Sequence, residues 1–283
     1  MTTRHLTIHP DAKAFLAAAG PMLYARETIN NLILGVSERL SDDPTAYQKP
    51  FFATVSGDDD HVILAAVMTP PYNLILSGDA CHETCFPILI DHLTTHPIQI
   101  PGVIAQDEMA ERFTKVWTDL VGNPYEMSMH MRVYELRQVR KSESPRGSFQ
   151  KANPLDIPTI AKWIQAFEQE ALGKSQNVDT ARAEKLVTAG NMFTWVVDDV
   201  LVSIAAKNRP IAHSITIGGV YTPPEHRRQG SAGALVANLS QYLLDEGYQF
   251  VNLFTDLSNP TSNKIYQEIG YHPVCDFKMY RFL

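Results

Sequence analysis

Residues 220 to 236 read VYTPPEHRRQGSAGALV. A strand-like run from Ser214 to Tyr221 enters this segment, and a helix predicted from about Ser231 to Glu246 leaves it. Ala232, Leu235, Val236, Leu239 and Leu243 space one apolar helical face, and Gly247 marks its stop. The connecting loop carries two prolines and the basic patch His226, Arg227 and Arg228. A helix N-terminus leaves backbone N–H groups unpaired and partly positive, so the turn is suited to an anion such as a pyrophosphate. Gly230 permits close backbone approach, Ala232 and Gly233 keep the first turn thin, and the arginines add charge. Neither G-K-[ST] nor G-x-G-x-x-G is present, which excludes a P-loop and a Rossmann fingerprint.

Downstream, a strand is predicted from Tyr248 to Thr255, followed by TDLSNPTSNKIYQEIGY at 255–271. Asn259 is placed as an N-cap, Pro260 at the first helical position and Gly270 beyond the end, so this stretch reads as a short helix. Asn259, Asn263 and Tyr266 share a polar face, and Ile265 and Ile269 form a separate apolar pair. The alternation in CDFKMYRF, residues 275–282, closes the chain with a strand. Upstream lie helical patterns from Leu155 to Leu172 and from Thr180 to Thr188, then the hairpin MFTWVVDDVLVSIAA at 192–206. Strands interspersed with helices imply an α/β chain with a mixed sheet covered by helices.

That hairpin has an earlier echo, FFATVSGDDDHVILAAV at 51–67. Aligning Phe52 with Phe193 brings Ala65 and Ala66 near Ala205 and Ala206, which suggests an internal duplication. A match between Thr69-Pro70-Pro71 and Thr222-Pro223-Pro224 falls at a different offset. The polar stretch RKSESPRGS at 140–148 reads as a linker between a domain at 1–139 and another at 149–283. The first copy has PPYNLILSGDAC after its proline pair and no Arg-x-x-Gly-x-Ala, so the cofactor site is expected only in the second half. The first half is expected to close the acceptor site or support the other domain. Met127, Met129 and Met131 alternate as one side of a buried strand would, and His130 between them needs no catalytic role.

The composition is that of a folded globular chain: 283 residues, 45% hydrophobic and 19% charged. A net charge of −7 argues against a general nucleic-acid binder. No signal-like or membrane-spanning apolar run is evident, which points to the cytoplasm and away from a membrane. Cys81, Cys85 and Cys275 are an odd set best read as buried thiols, and no metal is expected.

Arg227, Gly230 and Ala232 match the Q/R-x-x-G-x-G/A pattern, and the region from about residue 146 onward resembles the GNAT superfamily of N-acyltransferases. The resemblance implies two GNAT-like domains in tandem, the first degenerate, each a mixed, mostly antiparallel sheet flanked by helices. It implies acetyl-CoA or another acyl-CoA as co-substrate and a primary amine as acceptor, joined by direct attack through a tetrahedral intermediate. On that likeness CoA would be held by Val220, Tyr221, Arg227, Arg228, Gln229, Gly230, Ser231, Ala232, Gly233, Asn259 and Asn263. Tyr266 would be the general acid that protonates the departing thiolate, and backbone N–H groups of Gly218-Gly219-Val220-Tyr221 would meet the oxyanion. Glu168, Glu170 and Asp256 lie near enough to be considered as bases but read first as surface or capping residues. A non-catalytic acyl-CoA sensor and a GNAT-fold interaction module are the alternatives.

Overall fold

The computed structural model describes residues 4–78, 83–96, 98–140, 145–173 and 177–283. In chain order the elements begin with β1 (His5–Ile8), α1 (Ala12–Tyr24), α2 (Asn31–Asp42), β2 (Phe51–Ser56), β3 (Val62–Met68) and β4 (Leu74–Gly78). Next come α3 (Phe86–Thr95), β5 (Gly102–Gln106), α4 (Asp107–Val121) and β6 (Tyr125–Leu136). The second series runs β7 (Ser148–Lys151), α5 (Ile157–Leu172), α6 (Thr180–Thr188), β8 (Met192–Val197), β9 (Val200–Asn208) and β10 (Ser214–Tyr221). It ends with α7 (Ser231–Asp245), β11 (Phe250–Asp256), α8 (Pro260–Ile269) and β12 (His272–Phe282).

Two compact units result: Met1–Val133 with Val274–Leu283, and Tyr134–Pro273. In the first, β1, β2, β3 and β4 form successive antiparallel pairs, β4 and β5 run parallel, and β12 adds antiparallel to β5. In the second, β7, β8, β9 and β10 pair antiparallel in turn, β10 and β11 run parallel, and β6 lies beside β11. The two units therefore repeat one topology, with a helix pair after the first strand and single helices after the fourth and fifth. The expected duplication is present as fold, each copy a mixed sheet with helices.

Strand pairing divides the chain differently from composition. The stretch 140–148, read as a linker, falls in the second unit, with 141–144 outside the described residues. The last ten residues, assigned from sequence to the second domain, belong to the first because β12 hydrogen-bonds along β5 from Phe277↔Gln106 to Arg281↔Gly102. A polar stretch signals exposure, not which sheet edge a later strand will find.

The hairpins differ in their turns. Asp198 and Asp199 take φ of 50° and 62° between β8 and β9, the left-handed pair that a two-residue turn needs to match strand twist. The earlier hairpin turns through Gly57–His61 instead. The Thr-Pro-Pro match is coincidental, since Thr69 follows β3 and Thr222 follows β10, positions that are not equivalent.

In the second unit, Leu235, Val236, Leu239 and Leu243 of α7, with Tyr266 and Ile269 of α8, bury against Ile215 and Ile217 of β10 and Val251 and Leu253 of β11. The other face is covered by Ile160, Ala161 and Ile164 of α5 and Ala183 and Val187 of α6, packed on Met192, Ile204 and Ala206. Coverage on both faces explains why Ser214–Ile217 is buried at every position and reads as a run rather than an alternation. In the first unit α3 and α4 bury Phe86, Leu89, Phe113 and Trp117 against β4 and β5.

The methionine row does not line a core. Met127 is 53% exposed, Met129 is half-buried and Met131 is buried, because β6 becomes covered only towards its C-terminal end. Cys85 is buried, Cys275 is half-buried, and Cys81 lies outside the described residues. Among the described residues no helix is long and apolar enough to cross a membrane.

Candidate functional site

The parallel pair β10 and β11 sets the site. Their ladder runs from Ser214↔Phe250 to Ile217↔Leu253, yet β10 continues to Tyr221 and β11 to Asp256. On its other edge β10 pairs Gly218 with Ala206 and then Tyr221 with Ile204, so two residues, Gly219 and Val220, face one. This is a β-bulge, and Gly219 adopts φ 62° within it, where a side chain would be strained. The Gly218-Gly219 pair therefore leads into a bulge. Buried Ser203 fixes its exit, donating to the Tyr221 carbonyl at 3.1 Å and lying 2.8 Å from Thr222 Oγ1.

Beyond Tyr221 the chain makes a 3-10 turn at Pro224–His226, then reverses through Arg228 at φ 60° and Gly230 at φ 79° into α7. No side chain caps α7 and its first turn holds no acid, so its N-terminal donors and dipole are left for an anion. Gly233 serves packing: a Cβ there would stand 3.4 Å from Ile265 Cγ2 of α8. Ser231 is buried, Ala232 is half-buried, and Gln229 and Gly230 are exposed.

The two arginines part company. Arg227 donates through Nε to the Thr222 carbonyl at 2.8 Å, and its Nη2 sits astride the Glu170 carboxylate at 2.9 and 2.7 Å. Its guanidinium lies 5.7 Å from the Tyr221 ring centre, and Tyr221 donates its hydroxyl to the same carboxylate at 3.3 Å. Burial, then Glu170, raises the Tyr221 pKa. Arg228 is exposed and makes no hydrogen bond or ion pair with the described residues.

The helix α8 departs further from expectation. Asn259 is its N-cap, accepting from Ser262 N at 3.1 Å. Asn263 donates to the carbonyls of Asp256 (2.9 Å) and Asn259 (2.7 Å) and accepts from the Tyr134 hydroxyl at 3.0 Å. The first three of these bonds fasten the β11–α8 connection, and the fourth ties α8 to β6. Asp256 closes the same loop, its Oδ1 accepting from Ser258 N at 2.7 Å. Tyr266 is only 8% exposed, among the rings of Tyr134 and Tyr271, and desolvation pushes its pKa up to about 12, with Ser262 partly opposing this.

Residues 157–271 match the acetyltransferase (GNAT) family. The chain carries a GNAT domain. Whole-chain likeness to solved structures agrees with the repeated topology. A Drosophila protein superposes with a TM-score of 0.69 at 12% identity over 98% of each chain. A GCN5-related N-acetyltransferase from Sphaerobacter thermophilus gives 0.64 at 15%, covering 98% of this chain and 95% of its own. A tandem GNAT protein from the clavulanic acid biosynthesis pathway gives 0.54 at 13%, covering 99% and 98%. Identities this low speak for fold alone. Among curated protein sequences nothing matches the chain significantly.

Outside the family match but within the same unit, Tyr134 supplies a hydroxyl to Asn263 and receives a bond from Gln267 at 3.2 Å. Sequence spacing gave no signal for it, because β6 reaches the GNAT domain from the far end of the chain's first series. Glu168 is paired with Arg182, which leaves Glu170 as the acidic side chain of α5 at the turn before α7. In the first unit the sequence between β4 and α3, DACHETC at 79–85, has neither arginine nor glycine, and 79–82 lie outside the described residues. That unit also holds Asp107, His130 and Asp276 within 4.8 Å of one another. His130 lies 2.9 Å from Asp107, Lys278 3.6 Å from Asp107, and Arg132 grips Asp276 at 2.6 and 2.8 Å. With two cations already on these carboxylates, the cluster is a salt-bridge network, and the Arg132 hydrogen bonds lower the Asp276 pKa.

Proposed function

We propose that the GNAT domain is an N-acyltransferase that takes an acetyl or related acyl group from a CoA thioester and delivers it to a primary amine. The observation that carries this reading is the uncapped, acid-free start of α7, set by left-handed Arg228 and Gly230 directly after the bulged β10. A diphosphate satisfies both the free N–H groups and the dipole there. CoA, when bound, supplies an activated acyl group as a thioester.

The residues present fit such a ligand. Arg228, Gln229 and the backbone from Gly230 to Gly233 would receive the diphosphate. The bulge at Gly219 and Val220 frees backbone beside the point where the β10–β11 ladder ends, and it would supply donors to the acyl carbonyl oxygen. Asn259 and Asn263 would hold the loop that walls the site, their side chains being engaged there. Tyr266 would face the sulfur. A phenol pushed to about 12 stays protonated at neutral pH, but full transfer to a thiolate whose acid has a pKa of about 8.5 is uphill. Its contribution is therefore a hydrogen bond donated as the C–S bond breaks.

The burial of Tyr266 favours a second reading, a domain that binds acyl-CoA without turnover. Calorimetry with CoA on the wild-type protein and on Gly230→Glu tests the site, since the variant places bulk and negative charge on the anion position. Unchanged affinity in a folded variant would remove the assignment. An amine panel with acetyl-CoA and mass detection of products then separates enzyme from sensor.

A further inference from the structure

The sequence motif offers two arginines to a phosphate, but the structure has committed one of them. Arg227 spans the turn from within, its Nε tying back to the Thr222 carbonyl, while its Nη2 is held by Glu170 near the C-terminal end of α5. Tyr221 hydrogen-bonds the same carboxylate and lies under the guanidinium. Glu170 thus meets both ends of the segment that shapes the anion site: the last residue of β10 and the arginine three residues before Gly230. A guanidinium with two nitrogens fixed in different directions acts as a brace, and its charge is already answered by a carboxylate.

We propose that Glu170 is a positioning residue of the CoA site, acting through Arg227 to hold the 222–230 turn in its anion-receiving shape and leaving Arg228 to supply the phosphate charge contact. The inference rests on the reading of this site as a CoA site. Because α5 also covers the sheet face opposite α7, the brace links the two helical layers of the GNAT domain at the mouth of the turn.

The test is calorimetric binding of CoA at several salt concentrations, with folding followed by thermal melting. Arg228→Gln should weaken CoA binding and flatten its salt dependence, as loss of an exposed charge contact does. Glu170→Gln and Arg227→Lys should each weaken binding about three- to tenfold; Arg227→Lys keeps the wild-type salt dependence because it alters shape and not charge, whereas Glu170→Gln steepens it by releasing the Arg227 charge. Arg227→Lys preserves the charge and loses the Nε donor, so it should fail to behave as wild type. The double variant should be no weaker than the weaker single one. A folded Glu170→Gln protein with wild-type affinity overturns the proposal, and tighter binding overturns it too, because Glu170 would then be a competitor for Arg227. If Arg227→Lys does not fold, Glu170→Gln decides alone. Failure of the wild-type protein to bind CoA would instead bring down the functional reading itself.

Discussion

At Tyr266 burial does two things at once: it removes the phenol from water and fixes it among Tyr134 and Tyr271. Tyr266→Phe keeps the ring and removes the donor, so kcat should fall roughly a hundredfold while CoA affinity changes little. Wild-type turnover in a folded Phe variant, with chemistry rate-limiting, would exclude a donor role for the Tyr266 hydroxyl. The same burial has a thermodynamic signature. The folded pKa of about 12 exceeds the ordinary value near 10, so the unfolded state loses its proton first as pH rises. The stabilisation is complete below about pH 10 and lost as pH climbs through about 12, a fall of about 2–3 kcal/mol from this one group. Urea melts across that interval should show a steeper decline for wild type than for Tyr266→Phe, and parallel curves would contradict the assignment.

At the scale of elements, the β11–α8 connection is held by side-chain bonds added to its backbone bonds. Asn263 donates twice, to the Asp256 and Asn259 carbonyls that also accept from the backbone N–H groups of Asn259 and Asn263, and accepts once from Tyr134. Asn263→Ala should lower stability by about 1–3 kcal/mol, read as a drop in Tm with or without CoA present. A ligand residue without this structural duty would lose affinity and keep its Tm, so the two roles are separable by one pair of melts. The helix itself was legible in sequence because capping chemistry is local: Asn259, Pro260 and Gly270 stand where an N-cap, first turn and left-handed stop require them.

For the whole molecule, the repeated topology raises the question of how many sites a chain holds. Among the described residues a bulged strand leading into an arginine- and glycine-bearing turn is found in the second unit, and the sequence between β4 and α3, DACHETC, carries neither residue. Calorimetry should therefore give one CoA per chain, and two equivalent sites would refute that expectation. The duplication could be seen in sequence only at the hairpins. Elsewhere the copies share pairing order and not residues, since a sheet tolerates many apolar sequences with one register.

What the sequence determined by itself was local: the strand–turn–helix at 214–245, the capped helix after it, and the GNAT resemblance that rests on Arg227, Gly230 and Ala232. Each depends on residues within a few positions of one another, where backbone geometry and capping act directly. The tertiary structure alone decided what those side chains meet. Arg227 was open to a phosphate until α5 brought Glu170 to it, and Asn263 was open to CoA until β6 brought Tyr134. It also decided that the last strand completes the first unit, because the free edge of β5 takes β12 across more than 160 residues of chain. Hydrogen-bond partners and sheet edges are chosen by proximity in space, and no periodicity in the sequence records that choice.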